Sequence, residues 1–284
     1  MSEAGPLPKP ALPERKRPGR VGYWVVGGAL AVLFAAWLAL TPSGFWGKLQ
    51  ALGYAVCHQI PERSFHAGEH TFPLCARCTG MYLGAVLAFG FQLRQGKRGK
   101  LPPVWILVIL GVFLLAFGVD GVNSFLNFIP GWPALYASSN TLRLLTGLGV
   151  GVGIGAILYP IFNQSIWQDW LDEAALSRLG QFLVLLALAG LLAFGIVQGY
   201  PAVTFPAMVI SGLAVPFLLT LIYTIVASLL LRLDNRIRNW REMVLPLMLG
   251  GLLALSQIAL TDTARYLVTG TWSAGSSAAS MMTS

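Results

Sequence analysis

The sequence predicts an all-α protein, a polytopic membrane helix bundle of about seven transmembrane helices with its N-terminus inside the cell and its C-terminus outside. Three observations predict this fold class. Hydrophobic residues make up 56% of the 284 residues and charged residues only 11%, which excludes an ordinary water-soluble protein. The apolar residues form runs of about 20, the length that crosses a bilayer. The Lys and Arg residues concentrate in alternate loops, as the positive-inside rule requires.

The seven apolar runs are separated by Pro- and Gly-containing or basic loops. The first run is too long for a signal peptide and has no small-residue cleavage site before Pro42, so we interpret it as a retained helix. The predicted spans are 23–40, 74–93, 104–122, 141–162, 180–197, 205–231 and 243–260.

Between and around these spans the chain divides into five parts, each with its own composition. The first part is basic and rich in Pro, which predicts disorder, and the last is small and polar, which predicts a flexible tail. The parts are a disordered basic arm (1–20), a membrane domain with the first four spans (21–162), an interfacial connector anchored by tryptophan (163–178), a membrane segment with spans five to seven (179–262) and the tail (263–284).

Orientation follows from the charges. Fourteen of the 19 Lys and Arg residues lie in the N-terminal arm and in the loops after the second, fourth and sixth spans, so this side is predicted to face the cytoplasm. Membrane topology explains these basic loops, and we therefore predict contacts with membrane lipid and no nucleic-acid partner.

The segment 57–78, between the first two spans, contains all three cysteines and all three histidines of the chain. The spacing of Cys75 and Cys78 (CxxC) brings two sulfur atoms within reach of one metal ion, and Cys57 supplies a third. The residues leave open which histidine completes a four-ligand set: His58, His66 or His70.

The stretches CHQIPERSF and PLCARCTGMYLG, with DGVN and SNTLRLLTG further on, resemble the bacterial membrane proteins of the Domain of Unknown Function 2085 family over about residues 45–159. The resemblance implies a place in the bacterial cytoplasmic (inner) membrane. It also implies that Cys57, His58, Cys75, Arg77 and Cys78 are signature positions, which favours His58 as the fourth ligand, with His66 or His70 as alternatives. It implies no activity, so the catalytic residues stay unknown and we predict no named reaction.

Three function classes are compatible with the cysteines. Thiolates favour soft ions, so the first class is a membrane metalloprotein that binds zinc, with copper or an iron–sulfur centre as alternatives. The second is a membrane thiol–disulfide oxidoreductase that uses Cys75 and Cys78 as a redox pair and holds no metal. The third is a non-catalytic subunit of a membrane complex, or a transporter, with a structural metal.

Polar residues at the outer ends of the third and fourth spans predict a pocket beside the cysteines. Charged groups in a membrane are costly and usually functional, and an Asp120–Arg143 ion pair is expected from the short loop between these spans. Guanidinium groups from the Cys/His segment would allow the pocket to hold a lipid-like or small anionic ligand. The predicted pocket residues are Arg63, Arg77, Asp120, Asn123, Asn140 and Arg143.

Small residues predict a tightly packed core of helices near this pocket. Gly80 and Gly84 are four apart in the second span, and Gly147, Gly151 and Gly155 repeat the same interval in the fourth. This spacing lets membrane helices approach closely, and we interpret it as packing rather than gating.

Overall fold

The apolar runs of the sequence form helices in the computed structural model, which describes residues 20–127, 129 and 135–272. Long aliphatic stretches with few breaking residues explain their length, and Pro or Gly lies near most of their ends. The helices of this described part are α1 (Arg20–Leu40), α2 (Gly44–Tyr54), α3 (Ala76–Leu93), α4 (Val104–Leu126), α5 (Asn140–Ile166), α6 (Leu179–Val197), α7 (Pro201–Leu230) and α8 (Trp240–Thr269).

Six of these helices, α1 and α4 to α8, are long and apolar enough to cross a membrane. Large aliphatic side chains such as Leu114, Leu115 and Val122 of α4 are exposed on the outside of the bundle. A surface of this kind is stable against lipid and not against water. The prediction of a helical membrane bundle is therefore confirmed, and the chain is an integral membrane protein.

The remaining predicted span, 74–93, corresponds to α3, which has 18 residues and carries Arg77 near its start. This helix packs along α5 in the same direction: Gly80 lies against Leu144 and Gly147, and Gly84 against Leu148 and Gly151. Because α5 is itself a candidate span, α3 lies beside a span over most of its own length.

Short extended segments gather three of the loops at one end of the bundle. Strand β3 (Arg98–Lys100) pairs in parallel with β4 (Leu171–Ala174), and Trp167 forms a bridge to Ile237. The connector 163–178 thus contains a strand, and it joins the loops before α4 and before α8. These are the basic loops that the sequence assigns to the cytoplasm, so they share one side, and which side of the membrane it is stays a prediction.

The opposite end carries α2, a 3₁₀ turn (Pro61–Arg63) and a small hairpin of β1 (His66–Ala67) and β2 (His70–Thr71). The ends of α1 and α8 meet there, because Trp37 Nε1 donates a hydrogen bond of 3.0 Å to Asp262 Oδ2. The bundle therefore has one basic end and one end that contains the Cys/His segment.

Two features differ from the sequence-based expectation. Helix α2 was not predicted, since its 11 residues lie in what was expected to be a loop. Helix α8 continues to Thr269, so residues 263–269, expected in the flexible tail, are helical. Tyr54 explains part of this extension, because its hydroxyl group lies 2.9 Å from Thr269 Oγ1 and donates to the carbonyl group of Thr271 at 2.8 Å. The basic arm 1–19 and the tail beyond 272 lie outside the described residues.

Candidate metal centre

The three cysteines meet at the end of the bundle opposite the basic loops. The Sγ atoms of Cys57, Cys75 and Cys78 all lie within 4.8 Å of one another. Sulfur atoms bound to one tetrahedral zinc ion are roughly 3.8 Å apart, from a Zn–S bond of about 2.3 Å. Three thiols at this spacing are therefore a donor set that could hold one soft metal ion.

Local structure explains why these sulfur atoms converge. Cys75 immediately precedes α3 and Cys78 lies in its first turn, so the CxxC spacing places both on one side of the helix start. Cys57 lies just after the end of α2, and its amide donates a hydrogen bond to the Gly53 carbonyl group in the last turn of that helix. Gly53 itself packs against the backbone of Pro73, two residues before Cys75.

Backbone amides and a buried environment hold the Cys57 sulfur in place. The N–H of Cys75 points to Cys57 Sγ at 3.2 Å, and the N–H of Gln59 at 3.5 Å. Arg265 of α8 donates from Nη1 to the carbonyl groups of Tyr54 and Cys57. The sulfur atom thus receives N–H donors, as a thiolate ligand would, while α8 fixes the backbone behind it.

The electrostatics of the site favour one thiolate in particular. The thiol of Cys57, then that of Cys78, and the backbone N–H groups of Cys78 and Arg77 at the start of α3 lower the pKa of Cys75. The neighbouring Cys75 raises the pKa of Cys57. Cys75 is therefore the thiol that ionises first, and the thiolate is the form that binds a metal ion or acts as a nucleophile.

The structure does not bring the histidines into this group. Among the described residues, the three cysteines alone form a set of His, Cys, Asp or Glu ligands at metal-binding distance. His58 is exposed and offers its carbonyl oxygen to Arg265, His66 is exposed in β1, and the His70 ring stacks on Trp46 with 4.2 Å between ring centres.

Gln59 supports the centre and was not among the predicted site residues. Its φ of 53° is in the left-handed region, which is costly for a residue with a side chain. The side-chain amide Nε2 donates to the carbonyl groups of Gln50 and Pro73, both at 2.8 Å. Gln59 thus ties α2 to the segment that leads into Cys75. Its place in the CHQ motif was the available signal.

We expect Gln59→Glu to weaken metal binding by about tenfold or more, the usual effect of losing an outer support of a metal ligand. A carboxylate keeps the size of the side chain but cannot donate to the two carbonyl groups. Competition with a chromophoric chelator measures the affinity. The exposed neighbour variant His66→Ala should bind as tightly as the wild type, and equal affinities in all three proteins would contradict the role of Gln59.

Next to the cysteines, Arg77 forms an ion pair with Asp120 of α4. Arg77 Nε donates to Asp120 Oδ2 at 3.0 Å, and Arg77 Nη2 contacts that oxygen and donates to Ser124 Oγ at 2.8 Å. Tyr136 donates to the other carboxylate oxygen at 3.1 Å. The expected Asp120–Arg143 pair is therefore wrong, because Arg77 of α3 supplies the partner of Asp120.

The other predicted pocket residues surround this pair. Asn123 of α4 binds the backbone just before α5. Its side chain donates to the Tyr136 carbonyl group at 3.0 Å and accepts from the Leu135 amide at 2.8 Å. Arg143 Nη1 donates to Asn140 Oδ1 at 2.9 Å, and Asn140 Nδ2 donates to the Glu62 carbonyl group at 3.1 Å.

Arg63, in the 3₁₀ turn of the Cys/His segment, approaches the same group of residues. Its Nη2 lies 3.4 Å from the carbonyl oxygen of Ser124, the residue that also binds Arg77. The structure therefore brings the six predicted residues to one place beside Cys75 and Cys78. Ser124 and Tyr136 belong to this polar cluster and were missed, because their hydroxyl groups are ordinary at a helix end and in a loop.

Comparison with known proteins assigns this part of the chain to a family. Residues 57–158 match the family described as Predicted membrane protein (DUF2085). An uncharacterised protein of Methanocaldococcus jannaschii is 32% identical over 134 residues, which cover 45% of this chain and 80% of that protein. An uncharacterised protein of Methanothermobacter thermautotrophicus is 32% identical over 111 residues, which cover 39% of this chain and 90% of that protein.

The chain belongs to the DUF2085 family. No solved structure matches it. The DUF2085 region begins at Cys57 and ends within α5, so it contains the three cysteines and the six predicted pocket residues. Helices α1, α2, α6, α7 and α8 lie outside the match.

The Arg77–Asp120 pair should stabilise the DUF2085 region. We expect Asp120→Asn to lower the free energy of unfolding by about 2 kcal/mol, because a largely buried guanidinium loses its charged hydrogen-bond partner. Unfolding by SDS in mixed micelles measures this. The matched variant Asp169→Asn breaks the exposed pair with Lys97 and should cost below about 1 kcal/mol. Equal losses in the two variants would contradict the assignment.

Proposed function

We propose that this protein is a membrane metalloprotein that binds one zinc ion through Cys57, Cys75 and Cys78. The observation that carries the proposal is the mutual approach of the three sulfur atoms to within 4.8 Å. When bound, zinc supplies a Lewis acid that can polarise a ligand or activate water. Three protein ligands leave a fourth position for such a ligand, as in catalytic zinc sites.

The surroundings of the cysteines are compatible with a site that binds a ligand at the metal, as well as with a structural metal site. Arg77 lies between Cys75 and Cys78 in sequence and reaches the polar cluster through Asp120. The segment that carries the cysteines is therefore linked to guanidinium, amide and hydroxyl groups that could bind a polar ligand. The charge distribution of the loops supports the orientation in which this end faces away from the cytoplasm, in the cytoplasmic membrane of the cell.

A second candidate is a thiol–disulfide oxidoreductase. The lowered pKa of Cys75 at the start of a helix is also typical of an attacking thiol, which would form a disulfide with Cys78 or Cys57. In such a reaction two thiols lose two electrons and two protons to an acceptor disulfide or quinone. Three clustered sulfur atoms favour the metal site, because an exchanging dithiol requires only two.

Elemental analysis of detergent-purified protein, together with thiol labelling, separates the two candidates. The metal site predicts about one zinc per chain, lost in the double variant Cys75→Ser, Cys78→Ser. Protein without metal whose cysteines react with a maleimide only after reduction would reject the zinc site and favour the oxidoreductase. A zinc content unchanged in the double variant would reject these cysteines as the zinc ligands.

A further inference from the structure

Three guanidinium groups lie close together in the polar cluster, and they come from three different elements. Arg63 belongs to the 3₁₀ turn, Arg77 to α3 and Arg143 to α5. Burial lowers the pKa of Arg63, and the charges of Arg143 and Arg77 lower it further, whereas Cys75 and Asp120 oppose this. Like charges held together at a membrane boundary are unfavourable unless an anion lies between them.

The carboxylate of the cluster is already engaged. Arg77 binds one oxygen of Asp120, and the Tyr136 hydroxyl group binds the other. Arg143 is only 7% exposed, and its Nη1 binds the uncharged side chain of Asn140. The buried Nε atom of Arg143 has no hydrogen-bond partner in the part of the chain that the structure describes. A nine-tenths buried guanidinium thus forms no ion pair with any residue that the structure describes.

Two helix starts add to the positive potential. Helices α3 and α5 begin side by side: a Cβ atom at Gly147 would lie 2.2 Å from the carbonyl oxygen of Arg77. Neither helix has an acidic residue in its first turn. The N-terminal end of a helix carries a partial positive charge and exposed N–H groups, so basic residues there are unfavourable and an anion is stabilised.

We propose that the polar cluster binds a phosphate group between Arg63, Arg77 and Arg143. One guanidinium group can donate two parallel hydrogen bonds to a phosphate, and a phosphate offers enough oxygen atoms to bind several guanidinium groups. The group can belong to inorganic phosphate or to the headgroup of an anionic phospholipid, which has access to a cluster at the membrane boundary. The proposal goes beyond the zinc site and does not require zinc to be bound.

The full-length protein in uncharged detergent at low salt provides the test, with two probes. Isothermal titration with inorganic phosphate measures the free anion, and native mass spectrometry with phosphatidylglycerol, beside a phosphate-free galactolipid, measures the lipid. We expect at least one phosphate-bearing probe to bind, and Arg143→Gln and Arg63→Gln each to weaken that binding by about tenfold or more. The control Arg241→Gln, at the basic end, should bind as the wild type does.

The two probes distinguish free phosphate from a phospholipid headgroup as the ligand. Binding of inorganic phosphate that depends on Arg143 and Arg63 would identify a free-phosphate site, and such dependence with phosphatidylglycerol alone would identify a headgroup site. Absence of binding by both probes, or binding that neither Arg143→Gln nor Arg63→Gln weakens, would overturn the proposal. The zinc content of every sample is measured in parallel, so loss of the metal centre is distinguished from loss of the phosphate site.

Discussion

Replacing Cys57 by Ala is expected to remove the bound metal almost completely, although this residue lies outside the CxxC motif. Its sulfur is within 4.8 Å of both other sulfurs and would supply one of the three thiol ligands of the proposed site. A site left with two thiols should lose at least about 100-fold in affinity, since a structural zinc ion is held by about 10 kcal/mol or more in total. Elemental analysis after dialysis against a weak chelator measures the loss.

The neighbouring residue provides a matched control. His58 adjoins Cys57 in sequence, yet its side chain is exposed and the structure does not bring it into the cysteine group. His58→Ala should therefore keep about one metal ion per chain under the conditions in which Cys57→Ala keeps none. Metal loss in both variants would return His58 to the ligand set, and metal retention in both would exclude Cys57 from it.

Replacing Gly151 by Leu should have the largest effect on stability. A Cβ atom at Gly151 would lie 2.2 Å from the carbonyl oxygen of Met81 and 2.9 Å from the amide of Ala85, both backbone atoms of α3. Backbone cannot rotate away as a side chain can, so α3 and α5 must separate. We expect a loss of about 3 kcal/mol or more in the free energy of unfolding, measured with SDS in mixed micelles.

Gly118 of α4 is the control for this substitution. A Cβ atom there meets no atom of the described residues within 4 Å, so Gly118→Leu adds a side chain where this part of the bundle surface is open. Leucine is also the better helix former by nearly 1 kcal/mol, which predicts a neutral or slightly stabilising effect. Similar losses in Gly118→Leu and Gly151→Leu would show that the close α3–α5 contact is not what the glycines provide.

The α3–α5 contact also shows why much of the fold could be predicted. Apolar runs of about 20 residues leave little choice but a membrane helix. Glycines every four residues in two of the spans indicated close helix packing, and the structure shows that these two helices pack on each other. Helix α2 was not predicted because it has only 11 residues, too few for a span. Polar side chains such as Lys48 and Gln50 also interrupt its apolar character. Its burial comes from tertiary contacts of residues such as Leu49 and Tyr54.

The candidate site was only partly predictable from the sequence, because some of its residues are brought together by tertiary contacts. The CxxC spacing is local, so a helix start determines how Cys75 and Cys78 are placed, and the structure brings Cys57 to them. The expected partner of Asp120 was wrong because sequence proximity favoured Arg143, whereas the close packing of α3 on α5 brings Arg77 to the carboxylate. Gln59 acts through a left-handed backbone and two carbonyl contacts, which no periodic pattern indicates.

X-ray absorption at the zinc edge of the purified protein examines the proposed three-thiol site itself, since it counts the atoms bound to the metal. We expect three sulfur ligands at about 2.3 Å and one oxygen or nitrogen ligand at about 2.0–2.2 Å, with a spectrum unchanged in His58→Ala. A metal with two sulfur ligands, an imidazole contribution that disappears in His58→Ala, or protein that contains no metal would contradict it.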